Sequence, residues 1–184
     1  MQWPAQLVTV FAVLAGAVST FVFGKLADRG RYARELQLRW DQRRLDAYTE
    51  YVTAAKMVGA AANTILEMRM VGAPDEAIAE RVNGLADLEM NRNRAFEALP
   101  LIADGDTIEA GHRLNHAVWG LETPIRKGHT PDEAEWLNLA DAWVTALNNF
   151  HAAARHSLSV VGSFSRRDIA AQAVGRPERH REDI

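Results

Sequence analysis

Cysteine is absent from the 184 residues, which excludes disulfides, thiol catalysis and thiolate metal sites. Charge is missing altogether between Met1 and Gly24. No face of that segment can be the solvated side of an ordinary amphipathic helix. Strand-like alternation of apolar and polar residues is nowhere sustained, so no sheet is expected. Also missing are a glycine-rich phosphate loop, a nucleophile elbow, paired carboxylates in a recognisable frame and a zinc signature. The run Asp104-Gly105-Asp106 lacks the remainder of a calcium loop and reads as a turn and cap. No cofactor is expected.

What is present begins with "QLVTVFAVLAGAVSTFVFGKLADRGRYAR". The apolar part, Leu7 to Phe23, is close to the roughly 20 residues that cross a bilayer as a helix. Trp3 suits the headgroup zone, and Pro4 near a helix start loses no intrahelical hydrogen bond. A cleaved signal peptide would begin with a basic leader, which is missing here. Residues 1–24 therefore read as a transmembrane anchor, with export after cleavage as the alternative. Within it Ala12, Gly16, Thr20 and Gly24 recur every four residues, a ridge along which a second copy of the helix can approach to form a homo-oligomer.

Charge then divides the chain. From Lys25 to Arg44 seven basic residues face three acidic ones, whereas from Leu45 to Ser159 nine basic residues face seventeen acidic ones. Basic flanks remain in the cytoplasm, so the expected placement is the inner (plasma) membrane, single-pass, with the N-terminus outside and the C-terminal domain cytoplasmic. Lys25, Arg29, Arg31 and Arg34 are then positioned against anionic membrane lipid. The acidic remainder disfavours nucleic acid as a partner.

Helical periodicity takes over after Lys25. Leu38, Leu45, Tyr48, Val52, Ala55, Ala62 and Leu66 form one stripe of a long first helix that ends near Gly72. A second helix starts at Pro74, carries Ile78, Val82, Leu85, Leu88, Ala95 and Leu99 inward, and stops at Pro100. A third has Asp106 and Glu109 as a capping box and runs to Pro124. The fourth has Thr130, Pro131 and Glu133 as its start, then Trp136, Trp143 and Phe150 every seven residues, interleaved with Ala140, Leu147, Ala154 and Val161. The expected fold is all-α: an N-terminal transmembrane helix followed by an antiparallel four-helix bundle with a long first helix. Its parts are anchor 1–24, basic juxtamembrane stalk 25–44, cytoplasmic bundle 45–161 and polar tail 162–184.

Two clusters invite function. Glu109, His112 and His116 share one face of the third helix, spaced so that a metal-binding enzyme or sensor is one reading. Trp119 lies beside them, away from the apolar face, as an aromatic anchor for a protein partner would. The second reading leads: a non-enzymatic protein-protein interaction or self-assembly module.

At "RWDQRRLDAYTEYVTAA" and "NFHAAARHSLSV" the chain resembles uncharacterised single-pass membrane proteins of actinobacterial type. The resemblance implies an N-terminal anchor joined to a cytoplasmic helical bundle and brings no activity with it. That group closes its last helix in a sequence such as Asp-Leu-Gly-Val, where this chain has Ser157 to Val160.

Overall fold

The structure, a computed structural model, describes residues 3–162; before Arg34 it describes the side chains of Lys25, Arg31 and Tyr32 only. Among the described residues all regular secondary structure is helical: α1 (Trp3–Met70), α2 (Asp75–Glu97), the single turn α3 (Leu99–Ile102), α4 (Gly105–Arg126) and α5 (Glu133–Ser157). They form an all-α bundle. The chain divides between Gln42 and Arg43 into two units. In the first, Lys25, Arg31, Tyr32 and residues 34–40 are exposed. The second holds the core.

Contacts within the second unit set the direction of each helix. Tyr51 of α1 meets Gly111 and Asn115, and Arg69 donates to the carbonyls of Ile125 and His129 at 2.8 and 2.9 Å, so α1 and α4 run the same way. Tyr48 meets Ser157 at 3.0 Å while Gly59 abuts Trp143, so α5 runs against α1. Phe96 faces Gly111 and Glu89 faces Trp119, so α2 opposes α4. Alternation follows from connections too short to carry a helix back to its starting end.

The core is a ring stack. Phe150 is fully buried, with Tyr51 and Tyr48 against it at 5.0 and 6.0 Å between centroids, both edge-on. That arrangement sets the positive edge of one ring to the negative face of another. Trp136, Ala140, Trp143, Leu147, Phe150 and Ala154 are all buried, large residues alternating with small. Gly59 makes room for the largest of them: a Cβ built there would lie 2.9 Å from Cζ2 of Trp143.

Three helices end in the same way. Gly72 N–H donates to Arg69 O at 3.1 Å and Ala73 N–H to Met68 O at 2.9 Å, which satisfies two of the carbonyls a helix end leaves open. Gly128 and His129 repeat this pair on α4, as do Ser159 and Val160 on α5. The motif needs one residue with left-handed backbone, and φ is +69° at Gly72, +75° at Gly128 and +54° at Ser159. Ser159 is thus a side-chain-bearing residue in a backbone conformation that favours glycine. Ser159→Gly is expected to raise stability by about 1 kcal/mol, since a left-handed L-residue costs roughly that much. A thermal melt checks it, and an unchanged or lowered midpoint contradicts it.

Several expectations are corrected. The cap of α4 is Asp104, whose side chain accepts from Thr107 N–H at 2.8 Å, and the box at Asp106 and Glu109 does not form. The cap of α5 is likewise Asp132, accepting from Glu135 N–H at 2.8 Å, in place of Thr130. An aspartate three residues before a free N–H reaches it directly, so each helix starts at the nearest one available. Pro124 lies inside α4, two residues from its end, where the missing N–H forfeits a single bond. Pro100 sits within α3, since α2 has already stopped at Glu97. Val161 is exposed because α5 ends at Ser157. Leu38 and Leu45 are exposed too, and burial on α1 begins at Ala47.

Candidate functional site

On the α4 face singled out by the sequence, Glu109, His112 and His116 do not converge on one point. Glu109 pairs with Arg113 at 3.3 Å, one turn along the same helix. His112 is turned edge-on to Phe96 of α2, with 5.0 Å between ring centroids. His116 is exposed. Among the described residues no group of three or more His, Cys, Asp or Glu side chains converges as a cation site would require.

Trp119 is different. It remains 48% exposed, yet two contacts hold its ring. Its Nε1–H donates to Glu89 Oε1 at 3.1 Å. Glu89 in turn accepts from Arg92 Nη2 at 3.5 Å, and the Arg92 guanidinium carbon lies 5.6 Å from the centre of the Trp119 ring, within cation–π range. An exposed tryptophan ordinarily samples several rotamers. This one is held to the α2–α4 surface from two sides.

The residue behind it is one the sequence reading passed over. Arg92 is 0% exposed. Its Nη1 donates to Asn115 Oδ1, which also lies 2.9 Å from the Tyr51 hydroxyl. That hydroxyl is equally close to the Gly111 carbonyl, so its single proton serves one acceptor at a time. Burial raises the Tyr51 pKa well above the ordinary phenol value, against the opposing pull of Arg92, and the ring stays neutral. The signal for Arg92 is in its position: Ile78, Leu85, Arg92 and Leu99 recur every seven residues, and the lone charge in that row shares the inward phase of its neighbours.

Toward the C-terminal end of α4 the cluster continues. Arg126 bridges two carboxylates, Glu89 Oε2 at 3.0 Å through Nη2 and Glu122 Oε2 at 3.1 Å through Nε. Glu122 is 2% exposed and its Oε1 is buried with no hydrogen-bond partner, as is Nε of Arg92. Burial raises the Glu122 pKa above the ordinary carboxyl value and the Glu89 charge adds to this, while Arg126 and Arg92 oppose it. With both carboxylates ionised the four charges balance. Such a cluster can hold an aromatic ring in place at the surface and can take up a proton on Glu122.

The remaining predicted residues lie in the first unit or outside what is described. Lys25, Arg31 and Arg34 are exposed. The side chains of Ala12, Gly16, Thr20, Gly24 and Arg29 lie outside the described residues, as does the tail from residue 163. Among the described residues no helix is long and apolar enough to cross a membrane; the side chains from Leu7 to Phe23 lie outside the described residues. No protein-family model, curated protein or solved structure matches the chain.

Proposed function

We propose that this is a non-enzymatic, membrane-tethered helical bundle that engages a protein partner through the α2–α4 surface around Trp119. The observation that carries the reading is the fixed, half-exposed indole. A large ring held in one orientation has already lost the rotamer freedom that binding would otherwise remove, and tryptophan is the residue type that most often dominates an interface. The tether rests on composition: residues 1–24 as a single-pass anchor with the N-terminus outside, 25–44 as a basic stalk whose Lys25, Arg29, Arg31 and Arg34 lie near anionic headgroups, and the bundle in the cytoplasm. Within the bilayer, Ala12, Gly16, Thr20 and Gly24 offer a second, homotypic contact.

The test is site-specific photocrosslinking in membranes from a crosslinker placed at exposed Asn93 or Thr123, followed by partner identification. Trp119→Ala is expected to lower the yield tenfold or more, the effect of about 1.4 kcal/mol or above at an anchor residue, with helicity by circular dichroism retained. Crosslinks indifferent to the substitution would overturn the surface. A bundle digested by protease from outside intact cells would overturn the tether and favour export.

A further inference from the structure

Resting on that reading of the surface, we infer that the Glu89–Arg126–Glu122 bridge is an acid-sensitive latch: uptake of one proton by Glu122 re-divides Arg126 between the two carboxylates and so resets the Trp119 anchor.

The geometry places every part in contact. Arg126 is shared between two anions, one of which, Glu89, also holds the Trp119 N–H and Arg92. Glu122 is the weak member, because one of its oxygens has no partner and is sealed from water. The charged groups facing it are Glu89 and Arg92 from α2 and Arg126 from its own helix. Arg69 of α1 reaches α4 nearby but is taken by the carbonyls of Ile125 and His129. Once Glu122 is neutral, two cations, Arg92 and Arg126, are left with one anion. Glu89 is drawn into ion pairs with both, its oxygen is less available to the indole, and the surface around Trp119 gains one positive charge.

Stability carries the same linkage with a definite sign. Glu122 binds its proton more tightly folded than unfolded, so it makes stability fall as pH rises from the ordinary carboxyl range through its folded midpoint. His151 on α5 acts oppositely: burial, then Lys56, lowers its pKa, so it removes stability as pH falls below the ordinary imidazole value. The two oppose each other in any global melt, and a local readout is therefore needed.

That readout is the indole N–H resonance of Trp119 in the full-length, 15N-tryptophan-labelled protein in detergent micelles, assigned with Trp119→Phe and titrated from neutral pH downward. The wild type is expected to show one step with its midpoint above the ordinary glutamate value of about 4.3. Glu122→Gln should abolish the step and hold the resonance near its acid position, with helicity retained by circular dichroism. Arg126→Gln should move the midpoint upward, because the carboxylate loses its cation. His116→Gln should leave the step in place. A step that survives Glu122→Gln, an Arg126→Gln midpoint that does not move, or a wild-type resonance that does not titrate overturns the latch. No partner enters this titration, so its failure leaves the crosslinking result standing, and the reverse also holds.

Discussion

Arg92→Met is expected to destabilise the bundle by about 3–5 kcal/mol, the range seen when one member of a buried charge pair is removed. Methionine fills much of the same volume, so the loss comes from polar groups left behind. Asn115 Oδ1 loses its charged donor, Glu89 loses one of its cations, and Glu122 loses the field of Arg92. Trp119 loses the guanidinium beneath its ring. In a helical domain of this size the melting midpoint should fall by about 10 °C or more. Combining Arg92→Met with Glu89→Gln should cost less than the sum of the two, by about 1–3 kcal/mol, as residues in one network do. A loss below about 1 kcal/mol for the single change would mean that Arg92 reaches water.

Phe150→Ala should have an effect of similar size, about 3–5 kcal/mol, through lost packing. Its ring is the one that both Tyr48 and Tyr51 meet edge-on, and it is sealed from solvent. Collapse to fill the space is resisted from α1, where Tyr51 is tied to α4 by its hydroxyl. Phe150→Leu keeps most of the volume and should cost about 1–1.5 kcal/mol, which isolates the ring–ring contribution. Denaturant unfolding of the two variants decides between a packed core and one loose enough to absorb the change.

How far the sequence could be read depended on the kind of signal. The row Trp136, Trp143, Phe150 was legible because one helix buries it along its whole length, and Gly72 was legible because a left-handed helix end selects glycine. The start of the α1 stripe, at Leu38 and Leu45, was not. Burial there is decided by where α5 stops, and Ser157 against Tyr48 ends it just before Leu45 could be covered. The caps were displaced by two residues because several of the oxygen-bearing side chains in Ala103–Thr107 and Gly128–Glu133 can cap, and local spacing alone does not choose among them. The site was half visible. Trp119 could be seen as an aromatic off the apolar face, but its fixation depends on a charge, Arg92, that a search for apolar residues skips. Nothing short of the packed helices brings Glu122 and Glu89 to one arginine.

Because α5 runs against α1 and its last turn is joined to Tyr48, the polypeptide leaves the bundle at the end where α1 enters it. Anything attached beyond Val160, such as a fluorophore or an affinity handle, starts its path at that end, far from Gly72 and Gly128. A dye attached at Val161 would report on the end of the bundle where α1 enters it, and one placed in the α4–α5 turn would report on the opposite pole.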